Sequence, residues 1–234
     1  MTVVWVALAV ALDGAAGLAG ALLPEAWLVR YRPALLGFAA GALLAAALLD
    51  LVPDAIAANG TGVLPWLLAS IVALATFEWM LPMHDHHDHV GTATPYALLG
   101  SDALHNFGDG IAIAAAFVAS PRLGLITSLA VIVHEVPQEV ADYAILRAAN
   151  LERRRALVAL VGVQLTAALG AALVLLGAGF SGMNGIVLAI AAGTFLYIAC
   201  VELLPDVLRR GPRRDRIGAI VALAAGIVVV GAVS

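Results

Sequence analysis

Eight long apolar runs, each ended by proline, glycine or charge, divide the chain. They cover roughly 3–23, 34–57, 63–82, 97–119, 123–147, 156–179, 184–208 and 216–233. A helix crosses hydrocarbon with about 17–25 residues, so each run is long enough to span. Alanine and leucine dominate the runs, and no ten-residue alternation of apolar and polar positions occurs, which argues against barrel strands. The pattern predicts an all-α polytopic membrane protein, a single domain over residues 1–234. Composition narrows the class further. The chain is 63% hydrophobic and 12% charged, with a mean hydropathy of +1.02. A soluble domain is about 45–50% apolar and about 25% charged. A water-soluble globule, a disordered chain and a nucleic-acid-binding protein are excluded, and the expected surroundings are a lipid bilayer. Cys200, the single cysteine, lies in an apolar run and reads as a small buried hydrophobe. Met1 to Trp5 contain no cation, so the first run reads as a retained helix rather than a cleaved leader.

The cations orient the spans. All twelve are arginine. Arg30 and Arg32 fall on the first connection, Arg147, Arg153, Arg154 and Arg155 on the fifth, and Arg209, Arg210, Arg213, Arg214 and Arg216 on the seventh. Only Arg122 falls on an even-numbered connection. Cytoplasmic loops collect arginine, so both termini are expected outside. An internal repeat also shows. Ala39-Ala40-Gly41 is followed nine residues on by Asp50-Leu51-Val52-Pro53-Asp54, and Ala191-Ala192-Gly193 by Glu202-Leu203-Leu204-Pro205-Asp206 in the same register. Spans two and seven cross in opposite directions, so spans 1–3 and 6–8 read as inverted repeats around spans 4 and 5, an architecture of transporters.

Spans four and five carry the chemistry. A helix advances about 100° per residue, which puts His105 about 40° and Asp102 about 20° from Asp109, with Asn106 about 60° away. One stripe therefore presents two carboxylates, an imidazole and an amide. Gly108 and Gly110 flank Asp109 and admit a neighbouring backbone. Span five carries His134, Glu135, Gln138, Glu139 and Asp142, with Pro137 among them. Five central acids (Asp102, Asp109, Glu135, Glu139, Asp142) would cost on the order of 15 kcal/mol if left unpaired. Neither span has an interior arginine, so protons or a divalent cation must supply the positive charge. Two histidines beside the acids favour the metal.

His105-Asn106-Phe107-Gly108-Asp109-Gly110 and His134-Glu135-Val136-Pro137-Gln138-Glu139 resemble the paired signatures of ZIP (Zrt/Irt-like) metal transporters. The likeness extends over nearly the whole chain, in its eight spans, its histidine-rich third connection and the Gly-to-Pro patterns of spans two and seven. It implies import of a divalent metal (zinc first; iron, manganese or cadmium as alternatives) toward the cytoplasm. The metal is then a transported substrate rather than a cofactor, and the protein is not an enzyme. The resemblance implies a two-metal centre at mid-membrane. His105, Asp109, His134 and Gln138 match the first metal, and Asn106, Asp109, Glu135 and Gln138 the second, with Asp109 as a bridge. Gln164 in span six falls where some members place a further ligand. Many members have histidine where this chain has Gln138, and an amide oxygen is the poorer zinc ligand. The resemblance also implies a homodimer and an elevator-like motion.

Lesser signals surround this core. The third connection, about 83–96, carries His84, His86, His87 and His89 with two aspartates, a tract suited to capturing metal on the cytoplasmic side. Asp50 with Asp54 read as the outer mouth of a pathway, and Glu202 with Asp206 as the inner one. Asp13 and Glu78 are isolated acids and read as packing or interfacial residues. Gly37 and Gly41 form a small-residue packing face, and Trp5, Trp27, Trp66 and Trp79 sit near span ends as interfacial anchors. Two rival readings stay open. An intramembrane metalloprotease would place a second histidine where Gln138 stands. Metal export by proton antiport would use the same residues in the reverse direction. The expected location is the inner membrane of a prokaryotic cell.

The arginine partition makes a direct prediction. Cysteines introduced at Asn59 and Ser181 should react with an impermeant thiol reagent applied outside intact cells, and Arg154→Cys should not. Labelling of Arg154→Cys in sealed cells would reverse the orientation.

Overall fold

The computed structural model describes residues 1–20, 25–80, 95–177, 184–209 and 213–232. Among these residues there is no strand. Eight helical rods follow one another. The first is α1 (Thr2–Gly20). The second, α2, runs through Glu25–Ala45, a π-helical segment Ala46–Leu51, and Val52–Asn59. A 3-10 turn, Thr61–Val63, leads into α3 (Leu64–Met80). Then come α4 (Pro95–Ala119), α5 (Pro121–Ala148) and α6 (Arg153–Gly177). The seventh, α7, runs through Asn184–Tyr197, a π-helical segment Ile198–Leu203, and Leu204–Arg209. Last is α8 (Arg213–Gly231). The eight match the eight apolar runs.

Six of the described helices are long and apolar enough to cross a membrane. The other two are α4, whose hydropathy the Asp102–Asp109 stripe lowers, and α8, which opens on Arg213, Arg214, Asp215 and Arg216. The protein is an integral membrane protein whose described residues form helices and short turns, with no strand. Its surface reverses the soluble pattern. Leu8 and Leu12 on α1, and Leu165, Leu169 and Leu173 on α6, are exposed in rows spaced by four, while aspartate, histidine and glutamate are buried. Hydrocarbon outside and polar groups inside is the arrangement lipid demands.

Two expectations need correction. The first connection is partly helical, because α2 already begins at Glu25 and continues through Arg30, Arg32 and Pro33. At 1.5 Å per residue, 25–59 measures about 50 Å against about 30 Å of hydrocarbon. The helix is therefore longer than the hydrocarbon it must cross, with length to spare for its arginine-bearing first turns. Cys200, within the π-helical segment of α7, is exposed rather than buried.

The two π-helical segments explain how α2 and α7 tolerate proline. Pro53 and Pro205 each lack a donor and would press on the carbonyl four residues back. Widening the preceding turn relieves this, so the Val52 N–H reaches Ala47 O and the Leu204 N–H reaches Ala199 O, five residues back in both cases. The segments occupy equivalent places in the two sequence stretches aligned above.

Close backbone contact sets the remaining geometry. On α4, a Cβ at Gly110 would collide with the Ala167 carbonyl of α6, and one at Gly170 with the Phe107 carbonyl of α4. Gly37 and Gly41 meet Ala219 and Leu223 of α8 in the same way, so the small-residue face is a packing face. Helix α1 packs on α5, α6 on α4, α2 on α8 and α3 on α7.

Gly110→Ala should lower the thermal midpoint of the purified protein by an amount equivalent to about 1–3 kcal/mol. Gly162→Ala, where a Cβ meets nothing within 4 Å, should leave the midpoint unchanged or raise it. Equal behaviour of the two would contradict the α4–α6 contact.

Candidate metal centre

A tight hairpin sets the depth of the site. Ser120 is the whole link between α4 and α5. Its Oγ accepts from the Leu123 N–H at 3.1 Å, and Pro121 opens the next helix. His105 precedes Ser120 by fifteen residues and His134 follows it by fourteen. Antiparallel helices then bring the two to one level, about 22 Å from the turn.

There the imidazoles meet, with His105 Nε2 and His134 Nε2 2.9 Å apart. Asp109 Oδ2 lies 3.2 Å from His134 Nε2 and 3.5 Å from His105 Nε2. Glu135 Oε2 is 4.0 Å from His134 Nε2. One ligand atom from each of His105, Asp109, His134 and Glu135 falls within 4.8 Å of all the others, and all four residues are buried. The outer nitrogens have their own partners. His134 Nδ1 pairs with Ala130 O at 3.2 Å, and Glu202 Oε2 stands 3.7 Å from His105 Nδ1. A proton on each Nδ1 leaves both Nε2 lone pairs pointing inward, the tautomer a metal-bound histidine adopts. Two nitrogens on one tetrahedral zinc stand about 3.3 Å apart at Zn–N of about 2.0–2.1 Å. A shift of a few tenths of an ångström would seat the ion.

Amides tie the acids together around this point. Asn106 Nδ2 donates to Asp102 Oδ1 at 3.1 Å and to Glu135 Oε1 at 3.4 Å. Gln138 Nε2 donates to Asp102 Oδ1 at 3.2 Å. Gln164 Nε2, from α6, donates to Glu135 Oε1 and, at 2.7 Å, to Glu139 Oε1. What remains unpaired is acceptor only: Asp102 Oδ2, Asn106 Oδ1, both oxygens of Asp109, Glu135 Oε2, Glu139 Oε2 and Gln164 Oε1 have no hydrogen-bond partner. A buried set of oxygens with its donors used up is complementary to a cation.

The structure thus brings together His105, Asn106, Asp109, His134, Glu135, Gln138, Glu139, Gln164 and Asp102. Asp142 is buried farther along α5. Glu202 lies across from His105 and lines a cavity with Glu78, Ser101, Thr194 and Tyr197 between α3, α4 and α7. The Tyr197 hydroxyl donates to Glu78 there. Asp50 is half-buried within the π-helical segment of α2 and Asp54 is exposed; neither belongs to the group of four. His84, His86, His87, His89 and the side chain of Asp206 lie outside the described residues.

At this centre, Asp13 was misread from sequence. Asp13, taken for a packing acid, is fully buried against this centre, among the charges of Asp109, His105 and Glu139. A usable signal was present in the cost of a mid-span acid, which forces the side chain to face the interior.

Comparison with known proteins agrees with this geometry. The ZIP zinc transporter family model matches residues 82–234. Zinc transporter ZIP13 of Pongo abelii is 35% identical over 219 residues, which cover 83% of this chain and 64% of that protein. Zinc transporter ZIP4 of Homo sapiens is 43% identical over 120 residues, 51% of this chain and 18% of that protein. Zinc transporter zipt-7.2 of Caenorhabditis elegans is 34% identical over 139 residues, 57% of this chain and 30% of that protein. The chain therefore spans less than two thirds of the length of these relatives. With the family model covering most of the chain, and with the paired motifs on α4 and α5 facing one another, the chain belongs to the ZIP zinc transporter family.

Proposed function

We propose that this chain is a membrane transporter of divalent metal ions, zinc before iron, manganese or cadmium, acting as one domain and moving the ion toward the cytoplasm. The observation that supports this best is the meeting of two imidazole nitrogens and two carboxylates at one buried point, amid oxygens that lack donors. Nitrogen and oxygen donors suit zinc, and intrinsic affinity ranks it above iron and manganese. In this reading His105, Asp109, His134 and Glu135 hold the first ion, Glu135 standing where Gln138 was expected, because the Gln138 amide is turned to Asp102. Asp109, with both oxygens unpaired by hydrogen bonds, is free to bridge to a second. The cavity lined by Glu78 and Glu202 gives the ion a way out beside His105.

The orientation, with both termini outside, rests on the arginine partition, and the direction rests on the family resemblance alone. The relatives named above are animal proteins, and the prokaryotic location expected from sequence draws no support from them. We also read α1–α3 and α6–α8 as inverted copies. In support, the π-helical segments share one register, and the packing of α1 on α5 and of α2 on α8 has its counterpart in α6 on α4 and α7 on α3.

Radiolabelled zinc uptake into proteoliposomes tests the proposal. His105→Ala, His134→Ala and Asp109→Ala should each lower uptake by more than about tenfold and weaken zinc binding in equilibrium dialysis, with the protein still monodisperse. Asp109→Ala should be the most severe, because it removes the bridge. Normal uptake and binding by all three variants would overturn the reading.

A further inference from the structure

His105 and His134 meet at one point but are held from behind in different ways. His134 Nδ1 pairs with Ala130 O, a carbonyl one turn back on its own helix. His105 Nδ1 instead faces Glu202 Oε2 at 3.7 Å, and that carboxylate comes from α7. The imidazole is 8% exposed and the carboxylate 30%. Glu202 is outside the group of four whose ligand atoms converge. It touches the centre at the far side of the His105 ring.

The backbone of α7 accounts for that reach. Tyr197 and Glu202 are five residues apart, which on a regular α-helix sets them about 140° apart. Between them the helix widens into the π-helical segment Ile198–Leu203. Its hydrogen bonds join residues five apart, so the fifth residue comes round above the first. Both side chains consequently line one cavity, with His105 in its wall. The other acid of that cavity, Glu78, accepts from the Tyr197 hydroxyl, which leaves Glu202 facing the imidazole. Helices α4 and α7 pack closely here, since a Cβ on Gly108 would stand 3.3 Å from Thr194 Cγ2.

A metal-bound imidazole is a stronger ligand when its other nitrogen donates to a carboxylate or a carbonyl. That partner fixes the tautomer and the ring setting and raises the basicity of the bound nitrogen. A carbonyl on the same helix gives this support at all times. A carboxylate on another helix gives it only while the two helices keep their relation.

We propose that Glu202 is a positioning residue for the transported ion, acting from α7 through His105 Nδ1, and that the widened turn of α7 brings it there. Glu202 holds the Nδ1 proton, His105 Nε2 faces the ion, and the grip on the ion loosens when α7 moves off α4. This rests on the metal-centre reading above and gives one ligand of that centre a support from outside it.

The test is the zinc affinity of the purified full chain in detergent, measured by equilibrium dialysis in a double-mutant cycle. Glu202→Ala should weaken zinc about ten- to a hundredfold. Glu202→Gln keeps the shape and still accepts a hydrogen bond through its amide oxygen, so it should weaken zinc less. In a His105→Ala chain, Glu202→Ala should cost nothing further, because the imidazole it acts through is gone. A residue that ligates the ion directly, or that only supports the fold, would weaken zinc in both backgrounds. The second readout is nuclear magnetic resonance of the zinc-loaded chain carrying isotope-labelled histidine. The His105 Nδ1 proton, assigned by its absence in His105→Ala, should resonate at low field in the wild-type chain and move to higher field in Glu202→Gln. If Glu202→Ala fails to fold, this signal in Glu202→Gln decides the matter. Unchanged zinc affinity in Glu202→Ala, an equal loss in the His105→Ala background, or an unmoved signal in Glu202→Gln overturns the proposal. Full zinc affinity in His105→Ala alone would instead overturn the metal-centre reading, a result read before any Glu202 variant is compared.

Discussion

A carboxylate inside a hydrocarbon-facing bundle needs a positive partner, and the sequence keeps arginine out of the middle of its apolar runs. Asp102, Asp109, Glu135 and Glu139 are buried, and among the described residues none of them is seen paired with an arginine. The cost of several such charges exceeds what local hydrogen bonds return. The rest of the architecture answers that constraint. Amides from Asn106, Gln138 and Gln164 each engage one or two acids. Glycines at Gly110 and Gly170 let α4 and α6 close without side chains between them. The rows of leucine on α1 and α6 face outward and leave the polar residues inside.

The neutral amides deserve separate consideration because they could be mistaken for spectators. An arginine would satisfy the acids permanently and remove the site's appetite for a cation. An amide donates through its nitrogen, orients a carboxylate, and leaves the charge in place. Gln164 illustrates this, holding Glu135 and Glu139 by one oxygen each while the other oxygen of each is left without a donor. The site is organised and still electrically unfinished, a useful condition under the proposed function, in which an ion is taken up and let go.

Much of this was legible in the sequence, and the reason is the bilayer. Hydrocarbon thickness fixes span length, so eight apolar runs announced eight helices. The 100° advance per residue placed His105, Asp109 and Asp102 on one stripe, and the bundle packs that stripe inward. What was not legible depended on contacts between distant segments. Asp13 has no periodic companion on α1, and only the packing of α1 on α5 reveals its neighbours. The helical extension of α2 through Arg30 and Arg32 was hidden by Pro33, read as a boundary although the helix runs through it. The proline patterns at Pro53 and Pro205 marked a disturbance, but its form, a widened π-helical turn before each proline, required coordinates.

The single-residue link at Ser120 makes α4 and α5 act like the arms of a pair of callipers. Their jaws, His105 and His134, meet only because the arms are nearly equal. One residue inserted between Ser120 and either histidine would lift that imidazole by about 1.5 Å and swing it through about 100°. No rotamer change repairs both displacements at once. Length is therefore fixed on this stretch more tightly than composition: Ala114 or Val131 could exchange for a side chain of similar volume, whereas residues 105–134 cannot gain or lose a position. Variation in length is left to the connections outside the hairpin, where it cannot change how far the jaws open.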